Sequence, residues 1–341
     1  MDSAGRVYVI AEAGVNHNGS LDRALALVRA AAGAGADAVK FQAYRADALA
    51  SPRASKAGYQ ARETGADESQ LQMLRSLEFG EDEHRAVLRA GREAGVDVLS
   101  SAFDIESLAM LTRLGMTTFK VPSGEITNLP YLRAVARASA FGDGRVILST
   151  GMADLAEVAA AHGVLTQGGV AGDDITLLQC TTEYPASPAD ANLNAMVTMR
   201  DTLGVAVGYS DHTVGIVVAA AAVALGATVI EKHLTLDRTL PGPDHKASLE
   251  PDEFGRMVDA IRAVESALGD GVKRPVQAEL ANRDVVRKSI VAARAIAQGE
   301  IFSEENLTTR RPGTGLSPMR WDEIVGAVAP RDFSADEEVE L

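Results

Sequence analysis

Two histidines stand where a metal ion could be held. His212 follows the apolar run VAVGYSD and His233 lies in TVIEKHL, with an Ala-rich stretch of helical composition, Val214 to Leu225, between them. In a parallel strand-helix-strand unit both strands run the same way, so their ends reach the same rim of the sheet. The loop that follows, DRTLPGPDHKAS, adds Asp244, His245 and Lys246 at that rim. Taken singly, each histidine reads more simply as a strand-end cap held by one hydrogen bond. The pair therefore needs support from elsewhere in the chain.

Two lysines supply it. Lys40 in AVKFQA and Lys120 in TFKVPSG lie inside apolar runs of a chain whose basic residues are mostly arginine. A lysine there is costly unless an anion faces it. Internal pairing with Glu12 or Glu125 is one solution, and a phosphate or carboxylate ligand is the other. Ser100-Ser101, Ser123-Gly124 and Ser149-Thr150-Gly151 offer hydroxyls and backbone N–H groups around the same rim. Cys180, in the apolar run ITLLQC, reads as a buried inert thiol.

The elements that would position these residues follow a pattern. Eight apolar runs end in polar or glycine residues: VYVIAEAG, AVKFQA, VDVLSSAF, TFKVPSG, VILSTGM, ITLLQCT, VAVGYSD and TVIEKHL. Helical segments separate most of them, clearest at Leu21 to Ala32, Asp82 to Ala94, Ile105 to Leu114, Leu155 to Leu165, Val214 to Leu225 and Asp252 to Leu268. This alternation predicts an α/β fold, a (β/α)8 TIM barrel with its site at the C-terminal strand ends. A doubly wound open sheet fits less well, because no G-x-G-x-x-G follows the first strand and polar residues close every strand. Period-two alternation pairs Glu12 with Asn16, Lys40 with Gln42, Thr182 with Tyr184, Ser210 with His212 and Glu231 with His233, and turns Lys232 toward the helices. The long connection from Tyr44 to Gly80 reads as an active-site cover or a plain surface insertion.

The barrel is expected over residues 1–270, a linker over 271–285, and a small domain with short strands and turns over 286–341. With a formal net charge of -14 the chain lacks the basic face that nucleic-acid binding needs. A single cysteine rules out an intrachain disulfide and suggests a reducing compartment. No leader-like segment opens the sequence and no apolar run has bilayer length, so no membrane association and a cytoplasmic location are expected.

The stretches IAEAGVNHNG, VKFQ, KVPSGEITNLPYL, ILSTGMA, LLQCTTEYPA, NLNAM, VGYSDHT, EKHLTLDRTLPGPDHKASLEP, RKSIVA and RRPGTGLSP, in that order from Ile10 to Pro318, resemble the bacterial sialic acid synthases, legionaminate-type synthases among them. The resemblance implies a TIM barrel followed by an antifreeze-like (SAF, β-clip) domain. It also implies a domain-swapped homodimer, in which the small domain of one subunit covers the barrel mouth of the other. The implied activity joins phosphoenolpyruvate, an open-chain N-acetylated mannosamine-type sugar and water into a nine-carbon 2-keto sugar acid, releasing phosphate. The acceptor stays open between N-acetylmannosamine and 2,4-diacetamido-2,4,6-trideoxymannose.

Carried over residue by residue, the metal ligands fall on His212 and His233. The phosphoenolpyruvate site falls on Lys40, Ser101, Lys120, Ser123, Ser149, Thr182 and Ser210. Sugar contacts fall on Gln42, Glu125, Tyr184 and Asp244, with Arg311 of the small domain reaching the N-acetyl group. Glu12 lies beside the reacting carbon, and Glu12 or Glu125 orients the water. Ser101-Ala102 stands where many relatives have Thr-Pro, and Thr182 where some have Asn. Two imidazoles with water and substrate oxygens suit Mn2+, with Mg2+ or Co2+ as alternatives. A Schiff-base aldolase using Lys120 or Lys40 and a non-enzymatic carbohydrate-binding protein are the competing readings.

Overall fold

The computed structural model describes residues 5–51, 53–58, 60–61, 69–140 and 144–341. The expected barrel is the observed fold. Eight parallel strands close on themselves: β1 (Tyr8–Gly14), β2 (Ala38–Ala43), β3 (Asp97–Ala102), β4 (Thr118–Val121), β5 (Arg145–Ser149), β6 (Ile175–Cys180), β7 (Ala206–Asp211) and β8 (Val229–His233), with β8 pairing back onto β1.

Polar residues that cap helix starts set where the connections turn back. Ser20, Asp104, Asn128 and Asp154 each accept a backbone N–H at the start of the helices Leu21–Gly33, Ile105–Arg113, Leu129–Ser139 and Leu155–Gln167. The helix expected from Val214 instead spans Val217–Ala224. Thr213 is held by Asp211, and Gly215 has a φ of +81°, so the chain leaves β7 through a turn before it can coil.

Two apolar layers hold the barrel. Outside, the strands pack on the helices through residues such as Val9, Val39, Val146, Leu177 and Ile230. Inside, Ile10, Ala38, Leu99, Ile147, Leu178 and Val229 fill the interior. Two residues further along most of these strands the inward positions turn polar, because side chains on one face recur every second residue. Gly208 on β7 belongs to this interior. A Cβ there would run into the Val229 carbonyl and come within 2.7 Å of Leu178.

The connection after β2 is no plain loop. Helices Ala46–Leu49 and Gln70–Leu77 bury Ala46, Leu71, Met73, Leu74 and Leu77 against Val15, Tyr44 and Phe103. Residues 52, 59 and 62–68, within the stretch read as a cover or insertion, lie outside the described residues.

The chain divides into two compact units, Met1–Gly269 and Asp270–Leu341. The second begins with a helix, Gln277–Val286, in the stretch read as linker. It continues with an antiparallel pair, β9 (Ser289–Ala292) and β10 (Leu307–Arg310), around a small core that includes Ile290, Phe302, Ile324 and Phe333. Among the described residues no helix is long and apolar enough to cross a membrane.

Gly208→Ala should destabilise the chain by about 3 kcal/mol or more, because the obstructing atom is a neighbouring strand's backbone. Gly172→Ala, where a Cβ meets nothing within 4 Å, should stay within about 0.5 kcal/mol of the parent in urea unfolding. Equal midpoints for the two variants would show that the interior of β7 is not close-packed.

Candidate active site

At the C-terminal ends of the strands lies a cavity of about 360 Å³ lined by every barrel residue to which the resemblance assigns a role: Glu12, Lys40, Gln42, Ser101, Lys120, Ser123, Glu125, Ser149, Thr182, Tyr184, Ser210, His212, His233 and Asp244. Arg311 stands exposed in the second unit, just past β10. Other residues read at the rim do not line the cavity, among them Lys246 and His245, whose Nδ1 lies 2.7 Å from the Thr235 hydroxyl. Ser100 has the opposite parity to Ser101. Thr150 donates its hydroxyl to the Leu178 carbonyl, and Asn16 donates to Leu234 and Ser248 after an irregularity between Glu12 and Gly14 shifts the register.

The floor is a chain of alternating charges. Lys40 lies 2.7 Å from Glu12 and 3.7 Å from Glu231, and Lys120 lies 3.6 Å from the other oxygen of Glu231. Hydroxyls complete it: Lys40 donates to Ser101 at 3.1 Å, Lys120 to Ser149 at 2.8 Å, and Ser210 donates to Glu231 at 3.0 Å. Of the two partners expected for the lysines, Glu12 is used. Glu125 is not, and instead accepts from Asn128 at 2.6 Å. Glu231 was noted in the sequence only for sharing a face with His233, yet it bridges both lysines, and that shared parity was the available signal.

Burial raises Glu12, aided by Glu231 and opposed by Lys40. For Glu231 burial acts upward too, but Lys120 and Lys40 outweigh it and hold the carboxyl low. Burial likewise acts downward on both lysines. It is overcome at Lys40 by Glu12 and Glu231, and prevails at Lys120.

Beside this floor the imidazoles of His212 and His233 face each other with ring centroids 5.5 Å apart, and the Tyr184 ring lies 4.1 Å from that of His212. His212 Nδ1 is 2.7 Å from the Thr181 carbonyl. A carbonyl only accepts, so Nδ1 carries the proton and Nε2 keeps its lone pair. Burial keeps both rings neutral, pushing His212 down to about 4 and His233 well below the ordinary range, where His212 adds to the effect. The Nδ1 of His233 is buried without a hydrogen-bond partner. Two neutral rings with lone pairs fit a divalent ion. Among the described residues no group of three His, Cys, Asp or Glu forms a complete ligand set, so water or substrate oxygens would supply the remaining ligands.

Part of the cavity lining is apolar, beside Gln60 and Gln70 of the connection after β2. Val15, Leu49, Met73, Leu74, Leu77 and Phe103 form that part, most of them from the same connection. Nothing in the alternation of the barrel strands marked these residues. Gly151 leaves no room for a side chain: a Cβ there would meet the hydroxyls of Thr182 and Ser123 and the Cys180 sulfur. Cys180 is buried against Ser123, with Sγ and Oγ 3.2 Å apart.

Asp244, on the loop after β8, is buried, and burial lifts its carboxyl to about 6 while Lys40 draws the other way. A carboxyl raised in the fold is an advantage at low pH that is lost as pH rises through the folded value. Relative to Asp244→Asn, the parent should therefore lose about 3 kcal/mol of unfolding free energy between about pH 4 and about pH 7. Urea titrations at each pH check this, and parallel pH profiles would refute it.

A model of the NeuB family matches residues 27–273, and one of the SAF domain matches residues 287–339. The N,N'-diacetyllegionaminic acid synthase of Campylobacter jejuni is 49% identical over 97% of this chain and 98% of its own length. The synthase of the same name from Legionella pneumophila is 45% identical over 96% and 92%. Among solved structures, the N-acetylneuraminic acid synthetase of Leptospira borgpetersenii superposes with a TM-score of 0.71 at 33% identity, over 81% of this chain and 90% of that one. The likeness to sialic acid synthases read from the motifs thus extends along nearly the whole chain, and the chain belongs to the NeuB family.

Proposed function

We propose that this chain is a nonulosonic acid synthase. It joins phosphoenolpyruvate, water and open-chain 2,4-diacetamido-2,4,6-trideoxymannose into N,N'-diacetyllegionaminate, with release of phosphate. The observation that carries the reading is the floor of two lysines and two carboxylates beside a histidine pair in one cavity. The acceptor rests on the likeness to the two legionaminic acid synthases and on the apolar wall. That wall suits the methyl groups of a trideoxy, doubly acetylated sugar better than the extra hydroxyls of N-acetylmannosamine.

Lys40 and Lys120 exchange their carboxylate partners for the phosphate and carboxylate of phosphoenolpyruvate, with Ser101, Ser123, Ser149, Thr182 and Ser210 donating hydrogen bonds around it. His212 and His233 would hold a divalent cation, Mn2+ in this reading with Mg2+ or Co2+ as the alternatives, which when bound would supply Lewis-acid polarisation of the acceptor aldehyde. Gln42, Tyr184, Glu125 and Asp244 orient the acceptor. As C3 of phosphoenolpyruvate bonds to the aldehyde carbon, the aldehyde oxygen takes up a proton to become the new hydroxyl, and C2 becomes electron-poor and takes up water. Glu12, buried at the floor with its proton affinity raised, receives the water's proton. The C2–O bond to phosphate then breaks, the C2 hydroxyl gives its proton to the leaving phosphate, and C2 becomes the ketone carbon. In a domain-swapped homodimer, Arg311 of one copy serves the acetamido group held by the other.

One observation favours a second reading. The Lys120 amine is held below its ordinary range, as a Schiff-base aldolase requires. That enzyme would be trapped by borohydride in the presence of pyruvate and would ignore chelators.

Phosphate release from phosphoenolpyruvate, measured with each of the two sugars, decides between these readings. Release should be faster with the diacetamido sugar, stop with EDTA and return with Mn2+. His212→Ala and His233→Ala should each lower kcat by about a hundredfold or more while the far-UV circular dichroism stays unchanged. No release with either sugar refutes the synthase, and release indifferent to EDTA refutes the cation.

A further inference from the structure

β7 and β8 end in three successive cross-strand pairs that alternate between the two faces of the barrel wall. Ser210 and Glu231 meet on the inside and share a hydrogen bond. Asp211 and Lys232 are register partners on the outside. One residue on, His212 and His233 return to the inside. The middle pair is sealed between strands and helices. Both side chains are 0% exposed, with Lys232 Nζ 2.7 Å from one Asp211 oxygen. Lys232 also donates to the Thr213 carbonyl oxygen. The second Asp211 oxygen accepts the Thr213 N–H at 2.9 Å and its hydroxyl at 2.7 Å.

These bonds enclose His212. The residues on either side of it, Asp211 and Thr213, are both tied to one ammonium on β8, and that ammonium belongs to the residue just before His233. Sliding or splaying either strand end would break several of these bonds together. Neither Asp211 nor Lys232 lines the cavity, so neither meets the substrate. Burying an ion pair is a weak way to gain stability, since an apolar pair of equal volume often does as well. What an apolar pair would not do is hold the Thr213 N–H, hydroxyl and carbonyl in place.

We propose that Asp211 and Lys232 are positioning residues that fix the separation of the His212 and His233 imidazoles and so set the chain's affinity for its divalent cation. The inference rests on the metal reading above. Groups that orient ligands from behind commonly change metal affinity by about 10- to 100-fold when removed.

The test is Mn2+ binding to the purified full-length chain, followed by the electron paramagnetic resonance signal of free Mn2+, alongside thermal unfolding. Asp211→Asn and Lys232→Met should each weaken Mn2+ binding by about tenfold or more. Their kcat at saturating Mn2+ should stay near that of the parent. Leu165→Ala, a core truncation in helix Leu155–Gln167, supplies the control: it should lower the melting temperature while leaving the Mn2+ Kd within about twofold. Unchanged Kd in the Asp211 and Lys232 variants overturns the proposal, as does equal weakening in the Leu165 control. Failure of the parent chain to bind Mn2+ overturns the metal reading and this inference with it. Should Lys232→Met fail to fold, Asp211→Asn, which preserves volume, decides alone.

Discussion

Four charges in the dry interior of a barrel constrain everything above them. An unpaired ammonium or carboxylate there costs several kcal/mol, and Glu12, Lys40, Lys120 and Glu231 are each no more than 5% exposed. They are tolerated because they alternate in sign and sum to zero. That alternation depends on the pleat: Ile10 and Glu12, Ala38 and Lys40, Val229 and Glu231 are successive inward positions on their strands. A shift of one residue in any strand would turn its charge outward onto the helices and its partner's charge would be left alone. The apolar layer beneath and the charged layer above therefore specify the same register.

The charged layer is balanced without being saturated. Lys120 stays below its ordinary proton affinity even with Glu231 at 3.6 Å, so its charge is not fully compensated by the protein. Such a floor gathers two cations and several hydroxyls at one place, where an anion can take over from the protein's own partners. The apolar part of the lining has the complementary property. It rewards carbon surface more than extra hydroxyl groups. A substrate pair with one highly charged member and one methyl-rich member matches these two parts of the cavity.

How much of this was legible in the sequence follows from how local each feature is. Strand identity and parity are local, and they delivered the barrel and cavity-lining pairs such as Lys40 with Gln42 and Ser210 with His212, though parity misplaced Asn16 and the roles of Glu125 and Asp244 came only from the family resemblance. Ion pairing is not local. Both Glu12 and Glu125 were open as partners for the lysines, and only the fold shows that Glu125 is occupied by Asn128 while Glu231 arrives from the far end of the barrel unit. The helix begins at Val217 instead of Val214 for a different reason, a local contact that composition does not show. Alanine-rich composition signals a helix, but its start was set by Thr213 bonding to Asp211. The helix Gln70–Leu77 belongs to neither class. Its apolar residues have helical spacing, yet only packing onto Val15, Tyr44 and Phe103 turns them toward the cavity.

A division of labour separates the two faces of β7 and β8. On the inside, His212 and His233 are held neutral by burial, Lys120 is drawn down and Asp244 drawn up. Every one of these groups is pushed toward its uncharged form by the fold that holds it, so a ligand carrying the matching charges would return to the protein some of what folding cost, and binding would stabilise the folded state. On the outside, the Asp211 carboxylate has its counter-charge built in, in the buried ammonium of Lys232. Neither residue lines the cavity, so the pair keeps its partners whether or not the cavity is filled. It can therefore hold the strand ends in one geometry while the inner groups exchange partners, which a strained and ligand-responsive set of residues could not do for itself.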